Sequence, residues 1–178
     1  MDNAQLINQT SGKVEYYTPS YIIEAARAVM GSIDIDPASC ALANETVQAQ
    51  KYFTIEDDGL NARWRGYGAD NVWLNHPFGR KTNKPWIEKA GIEYTGGYAH
   101  QICLITFACT SEQWFQPLFN YPICFLSPRV NYLGLDGKPV KGVTKGSCVT
   151  YMGKNLVQFC KVFDKLGTVV IPYSGQRD

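Results

Sequence analysis

Apolar and polar residues alternate along the chain with two different periods, which predicts helices and strands in alternation. Apolar residues three and four positions apart favour amphipathic helices, and short continuous apolar runs favour strands that are buried on both faces. The clearest buried strand is the run from Gln101 to Ala108, with the sequence QICLITFA. Helices are predicted at 19–30, 38–50, 84–94, 111–119 and 155–166, and strands at 32–36, 51–54, 71–75, 101–108, 123–126 and 168–173.

This alternation predicts an α/β sandwich with a mainly parallel sheet. Residues 128–150 are expected to add an extended C-terminal β-hairpin, whose tip is the turn Leu135-Asp-Gly-Lys138. The polar segment 1–14 is expected to be a flexible arm. Because 178 residues suffice for one hydrophobic core but not for two, we expect residues 15–178 to form a single domain.

Composition excludes several classes of protein. At 45% apolar and 19% charged residues, the chain is too apolar to be disordered. No apolar run approaches the ~20 residues that cross a bilayer, and no signal peptide is visible at the start. The six cysteines form no Cys-x-x-Cys pair and there are only two histidines, which argues against a metal cluster or a disulfide scaffold. These features predict a cytoplasmic protein that binds no metal and enters no membrane.

Charge divides the chain into an acidic and a basic half. Residues 1–78 carry five Lys/Arg and ten Asp/Glu, a net charge of −5, whereas residues 79–178 carry twelve and six, a net charge of +6. An acidic region suits a cationic ligand, and a basic region suits nucleic acid, because phosphate neutralisation dominates that kind of affinity. Chance variation among solvated side chains is the alternative.

Three polar clusters stand where predicted strands end. They are Asp34-Ile-Asp-Pro37, Asp57-Asp-Gly-Leu60 and Asn75-His-Pro-Phe78. Each alone is typical of an ordinary turn. In an open α/β sheet, however, ligands bind beyond the carboxyl ends of the strands, so the three together predict one shared crevice.

The last cluster resembles the Asp/Asn-Pro-Pro-Tyr/Phe tetrapeptide of methyltransferases that act on the amino group of adenine N6 or cytosine N4. Such an amine is a poor nucleophile because its lone pair is delocalised into the ring. Two acceptors, a side-chain oxygen at the first position and a backbone carbonyl at the second, can hold its hydrogens and favour the tetrahedral form. The resemblance implies a catalytic set of Asn75 (amide oxygen), His76 (carbonyl), Pro77 (a stiff turn) and Phe78 (a ring that stacks on a flipped base).

Further motifs surround this tetrapeptide in a fixed order. They are Glu15-Tyr-Tyr-Thr-Pro19, Ile33-Asp-Ile-Asp-Pro-Ala-Ser39, Ala41-Leu-Ala-Asn44, Tyr52-Phe-Thr54, Asp57-Asp-Gly-Leu60, Trp86-Ile-x-Lys89 and Thr110-x-x-x-Trp114-Phe115. The series resembles the phage DNA N6-adenine methyltransferase (Dam-like) family, most closely over residues 15–125. It implies a compact, trimmed Rossmann-like fold and an enzyme that transfers methyl from S-adenosylmethionine to adenine N6 in double-stranded DNA. It also implies a phage or prophage gene in a bacterial host.

The resemblance also implies roles for the residues of the acidic half. Tyr17, Thr18 and Pro19 would line the methionine end of S-adenosylmethionine. Asp36, where Pro37 turns the chain, would hold the ammonium or the ribose hydroxyls. Asp58 would accept a hydrogen bond from the adenine amine, and Leu60 would pack on the adenine ring.

The basic half supplies candidates for the DNA contacts. They are Arg80, Lys81 and Lys84 after the tetrapeptide, and Arg129, Lys141 and Lys145 on the predicted hairpin. An ordinary solvated hairpin is the alternative for the second group. The tryptophans at 64, 73, 86 and 114 are expected in the core. The pattern leaves the oligomeric state and the target sequence open.

Two features depart from the family pattern and motivate other hypotheses. His76 stands where proline is usual, and Pro37-Ala-Ser39 replaces a glycine-rich loop. A histidine can supply the same backbone carbonyl, and stabilising the turn is favoured over a direct proton role for its ring. The alternatives are a cytosine-N4 methyltransferase, and a non-catalytic protein that binds DNA or a host factor to blunt restriction.

Overall fold

The computed structural model describes residues 16–65, 70–134, 136–140 and 143–173. The predicted arm at 1–14, the hairpin residue Leu135 and the candidate Lys141 lie outside these residues. None of the described helices is long and apolar enough to cross a membrane. In chain order the elements are α1 (Ser20–Met30), β1 (Ile35–Asp36), α2 (Ala41–Val47), β2 (Lys51–Tyr52), β3 (Asp70–Leu74), α3 (Asn83–Thr95), β4 (Ala99–Phe107), a 3-10 helix (Gln116–Asn120), β5 (Ile123–Leu126), β6 (Ser147–Met152), α4 (Leu156–Phe163) and β7 (Gly167–Val170).

The seven strands form one mixed sheet in the order β2-β1-β3-β4-β6-β5-β7. The first four run parallel, with Ile35 opposite both Lys51 and Val72, and Leu74 opposite Leu104. The strands β6, β5 and β7 each run antiparallel to their neighbours. The predicted α/β sandwich is confirmed, and its parallel strands are grouped on one side of the sheet.

The strand order places a crevice between β1 and β3. From β1 the chain moves outward to β2 and then returns to β3 on the opposite side of β1. At such a switch in direction the connections leave the carboxyl ends of the two neighbouring strands on different faces, which opens a space between them. Asp36 ends β1 and Asn75 follows β3, so both lie at this carboxyl edge.

Two apolar layers cover the two faces of the sheet, because successive side chains of a strand point to opposite faces. On one face Trp73 and Cys103 belong to the same buried cluster as helices α1 and α4. On the other face Val72 and Leu104 belong to the same cluster as helix α3 and the 3-10 helix. The result is a three-layer sandwich.

Two segments differ from their predicted form. Ser147–Met152, which the predicted hairpin partly includes, is fully buried and forms β6 inside the sheet, between β4 and β5. Among the described residues of the hairpin region, the local backbone pairing lies between 132 and 140, where Val140 N donates to Tyr132 O at 2.7 Å. The helix predicted after Ser111 is a series of turns and a short 3-10 helix, because Pro117 cannot sit inside an α-helix.

Candidate active site

A cleft of about 830 Å³ opens at the carboxyl ends of β1 and β3. Its walls come from the segment before α1, the β1–α2 connection, the turn after β2, the end of β3 and the loop before β6. The structure therefore brings the three polar strand ends together. The predicted site residues that line the cleft are Tyr17, Thr18, Asp36, Pro37, Asp58, Leu60, Asn75, His76 and Pro77.

A glycine holds the acidic turn against the end of β1. A Cβ atom on Gly59 would lie 1.8 Å from the carbonyl oxygen of Pro37, so only glycine permits this approach. Trp64 Nε1 donates to Gly59 O at 2.7 Å, and the carboxylate of Asp57 accepts from Thr54 N at 2.8 Å. These contacts fix Asp58 and Leu60 beside the Asp36-Pro37 turn.

Asn75 is held in one orientation by its amide nitrogen. Nδ2 donates to Tyr16 O at 2.5 Å, and a carbonyl oxygen can only accept, so the two ends of the amide are distinguished. Oδ1 is buried and has no hydrogen-bond partner among the described residues. The side chain therefore offers an oriented acceptor at the cleft, suited to an N–H donor.

His76 is almost fully buried, and its ring is neutral near pH 7. Burial lowers the pKa of His76 to about 4, although a hydrogen bond to Pro77 O opposes the shift. Nδ1 donates to Pro77 O at 3.0 Å, and Thr82 Oγ1 donates to the same oxygen at 2.6 Å. Two side chains thus hold the turn after β3, while Nε2 is buried without a partner among the described residues.

Phe78 lies behind the cleft wall and not on it. Its ring is 8% exposed and packs against Phe107, with ring centroids 4.6 Å apart, and against His76 and Tyr132 at 5.4 and 5.7 Å. Tyr16, whose ring centroid lies 6.0 Å from that of Phe78, does line the cleft. Of this pair of aromatic residues, Tyr16 and not Phe78 therefore lines the cleft.

Asp36 places a carboxyl group at the acidic end of the cleft. The residue is 2% exposed, and burial raises the pKa of Asp36 to about 7 even though Ala38 N donates to Oδ1 at 3.2 Å. A buried carboxylate with few partners favours a cationic or hydrogen-bond-donating ligand, which would stabilise the charged form.

Several buried polar atoms without partners belong to residues that line this one cleft. Buried polar groups in proteins are nearly always hydrogen-bonded, so each exception calls for an explanation. A shared cleft gives one explanation, namely a polar ligand that completes their hydrogen bonds. The atoms include Thr18 Oγ1, Trp73 Nε1, Asn75 Oδ1 and His76 Nε2.

Comparison with known protein families identifies the family of the chain. A sequence model of the DNA N-6-adenine-methyltransferase (Dam) family matches residues 8–165. The chain belongs to this family. Membership indicates DNA adenine-N6 methyltransferase activity, with DNA as the substrate, and implies S-adenosylmethionine as the methyl donor. No curated protein and no solved structure matched the chain.

The five basic candidates that the structure describes are all exposed. Arg80 and Lys81 lie in the turn that joins the cleft to α3, followed by Lys84, which pairs with Glu88 at 3.7 Å. Arg129 donates to Thr144 O at 3.1 Å, and Lys145 Nζ lies 5.6 Å from the ring centroid of Phe107. The described residues contain no cluster of side chains that could hold a metal ion.

Two predicted site residues do not line the cleft, and two aromatic residues that do line it lie outside the predicted set. Pro19 precedes α1, and like Phe78 it does not line the cleft. Tyr16 and Trp73 do line the cleft but were not among the predicted site residues. A signal for Trp73 was present, because it stands two positions before Asn75 and alternate residues of a strand share a face. No local sequence pattern indicated that the backbone carbonyl of Tyr16 would accept a hydrogen bond from Asn75.

Proposed function

We propose that this methyltransferase binds S-adenosylmethionine in the cleft and methylates N6 of an adenine that is flipped out of double-stranded DNA. The observation that carries the proposal is the amide of Asn75. Its nitrogen is committed to Tyr16 O, and its oxygen is buried at the cleft without a partner among the described residues. This geometry supplies the oriented acceptor that an exocyclic amine requires.

Asn75 would act on the nucleophile. Oδ1 accepts one N6 hydrogen and the carbonyl of His76 accepts the other, which draws the nitrogen lone pair out of conjugation with the ring. Pro77 and the hydrogen bonds of His76 and Thr82 to Pro77 O keep the two acceptors in place. Since the proton leaves N6 after the N–C bond has formed, no base is needed before transfer.

Residues of the acidic half would hold the methyl donor. S-adenosylmethionine supplies an electrophilic methyl group on a sulfonium. Asp36 would bind its ammonium or ribose hydroxyls, and the buried position of that carboxyl favours a cationic partner. Asp58 would accept from the adenine amine and Leu60 would pack on the ring, while Tyr17, Thr18 and Pro19 would surround the methionine end.

Aromatic and basic side chains would bind the DNA. Tyr16 would present its ring to the flipped base, with Phe78 supporting it from behind. Arg80, Lys81 and Lys84 would neutralise phosphates that flank the base. Arg129 and Lys145 would extend the contact along the backbone, and the proposal also includes Lys141.

Methyl transfer from labelled S-adenosylmethionine to adenine-containing duplexes tests the proposal. Asn75→Ala should lower transfer by at least about 100-fold and leave the affinity for S-adenosylhomocysteine within about threefold, because the lost oxygen serves the amine. Asn120→Ala, an exposed asparagine at the end of the 3-10 helix, is the control and should leave both values unchanged.

Two results would contradict the proposal. One is normal methylation by Asn75→Ala. The other is N4-methylcytosine, in place of N6-methyladenine, when the product DNA is digested and its nucleosides are analysed by mass spectrometry. A wild-type protein that binds neither S-adenosylmethionine nor S-adenosylhomocysteine would favour a non-catalytic binding protein.

A further inference from the structure

Two fully buried tryptophans differ in whether the indole N–H has a hydrogen-bond partner among the described residues. Trp64 and Trp73 are both 0% exposed. Trp64 Nε1 donates to Gly59 O at 2.7 Å. Trp73 Nε1 has no partner among the described residues, although Trp73 lines the cleft. Trp73 thus carries a buried indole donor without a described partner, in a residue that borders the cleft.

The chemistry of the indole determines which kind of ligand group can bind to it. An indole nitrogen only donates, so its partner must be an acceptor. A buried donor without a partner costs free energy in the unliganded protein, and a ligand that completes the bond recovers it. The acceptor can be neutral or anionic, and the surroundings of the cleft distinguish between these.

The segment before α1 favours an anionic acceptor. Thr18 is 5% exposed, lines the cleft and has a hydroxyl without a partner among the described residues. Helix α1 has 11 residues and begins two positions later, with no side-chain cap and no acidic residue in its first turn. The amino end of a helix carries a partial positive charge, which attracts carboxylates. Acidic groups of the cleft, such as Asp36 and Asp58, come from other segments.

We propose that Trp73 Nε1 donates a hydrogen bond to the carboxylate of the methionine part of S-adenosylmethionine. This inference rests on the proposed function, since it names a contact of the same ligand. The carboxylate is the one anionic group of that molecule. It would lie toward α1 and Thr18, and the ammonium would face the acidic wall. Trp73 is then a ligand-binding residue as well as a core residue.

A pair of ligands isolates the carboxylate. S-adenosylhomocysteine carries the whole amino-acid part, whereas 5′-methylthioadenosine keeps the nucleoside and the sulfur but lacks that part. Trp73→Phe removes the N–H, and 3-benzothienylalanine at position 73 replaces the N–H by sulfur at nearly constant volume. By calorimetric titration, both variants should bind S-adenosylhomocysteine about 10- to 100-fold more weakly and 5′-methylthioadenosine within about twofold of wild type.

Two further tryptophans provide matched controls. Trp114 is partly buried outside the cleft lining, so Trp114→Phe should bind both ligands as wild type does. Benzothienylalanine at position 64 removes a hydrogen bond that the unliganded protein makes, and should lower its Tm. The same replacement at position 73 removes no such bond and should leave the unliganded Tm within about 2 °C.

The outcomes separate the inference from the proposed function. A wild-type protein that binds neither ligand contradicts the proposed function. Wild-type binding of S-adenosylhomocysteine that the benzothienylalanine variant at position 73 retains in full overturns the inference alone. Equal weakening of both ligands overturns the carboxylate assignment. A Tm loss at position 73 that equals the loss at position 64 would show that the N–H is already bonded in the unliganded protein, and also overturns the inference.

Discussion

One asparagine stands near the start of strand β3 and another directly follows its end. Their side-chain amides differ in how many hydrogen bonds they make to the described residues. Asn71, at the amino edge of the sheet, donates from Nδ2 to Met30 O at 3.1 Å and to Ser32 Oγ at 2.9 Å, and accepts from Gln101 Nε2 at 3.0 Å. The side chain of Asn75, at the carboxyl edge, makes one hydrogen bond to the described residues, from Nδ2 to Tyr16 O. One amide is complete within the fold, and the other is half complete.

The polar side chains near each asparagine also differ in whether they have hydrogen-bond partners. At the amino edge Tyr151 Oη donates to Gln101 Oε1 and accepts from Asn155 N, so the network joins β3, β4, β6 and the start of α4. At the carboxyl edge the polar atoms of Thr18 and Trp73 have no partner among the described residues. A saturated network stabilises a fold, whereas an unsaturated one around a cleft is suited to a ligand.

The largest change in stability should come from Asp36→Asn at the carboxyl edge. Burial raises the pKa of Asp36 to about 7 in the folded protein, against about 3.9 in an unfolded chain. The unfolded state therefore releases its proton first, and the free energy of unfolding falls as pH rises from about 4 to 7. The variant avoids this loss and should gain up to about 4 kcal/mol above pH 7 and nothing below pH 4. Urea denaturation at pH 4 and pH 8 measures both values.

The gain in stability should come with a loss of binding. At pH 8 the variant should bind S-adenosylhomocysteine at least about 10-fold more weakly, because it lacks the negative charge for the ammonium. Asp34→Asn is the control, since the carboxylate of Asp34 already accepts from Asn71 N at 2.8 Å and from Gln50 Nε2 at 3.2 Å. An equal gain for Asp34→Asn, or a gain for Asp36→Asn at pH 4, would refute the buried-charge explanation.

Alanine at the two asparagines tests the comparison directly. Asn71→Ala removes three hydrogen bonds and leaves buried groups unpaired, so it should lower the free energy of unfolding by about 2–4 kcal/mol. Asn75→Ala removes one bond and one unpaired oxygen, and should change stability by less than about 1 kcal/mol. Denaturation curves of both variants supply the numbers. A larger stability loss at Asn75 than at Asn71 would invert the proposed division between fold and site.

Local sequence patterns predicted where helices and strands occur better than they predicted which strands pair or which side chains meet. The strand at 123–126 and the helix near 84–94 depend on apolar runs and spacing within one segment, and both are present as β5 and α3. That residues 147–152 form an interior strand depends on pairing with β4 and β5, which are distant in sequence. Likewise, the tetrapeptide was visible as a motif, but the contact of Asn75 with Tyr16, 59 positions away, depends on the folded chain.

Charge at the two edges should contribute differently to DNA binding. Arg80 and Lys81 are exposed beside the cleft, whereas Lys154 is exposed at the amino edge, between β6 and α4. Alanine at position 80 or 81 should weaken duplex binding several-fold and reduce the slope of log K against log salt by about 1. Lys154→Ala should change neither. Fluorescence anisotropy over a salt series provides the slopes, and an equal effect of Lys154→Ala would argue against the carboxyl edge as the DNA surface.

The smallest change in methyl transfer is expected for the replacement of His76 by the proline that is usual at this position of the tetrapeptide. His76→Pro keeps the backbone carbonyl at the second position and replaces the bond from Nδ1 to Pro77 O by the rigidity of a proline ring. Thr82 Oγ1 would still donate to Pro77 O. We expect methyl transfer within about threefold of wild type for His76→Pro, and a loss of about 10-fold for His76→Ala, which has neither the ring nor the hydrogen bond.

The pH dependence of the same variants distinguishes a positioning role from a proton role. Burial lowers the pKa of His76 to about 4 from 6.5, so the neutral ring stabilises the fold fully above pH 6.5 and progressively less as pH falls toward 4. His76→Pro should remove this acid-side loss of stability and leave the pH profile of kcat unchanged between pH 6.5 and 9. If His76→Pro instead lost as much activity as His76→Ala, the imidazole itself would take part in the reaction, and Nε2, which is buried at the cleft without a described partner, would be the atom to examine.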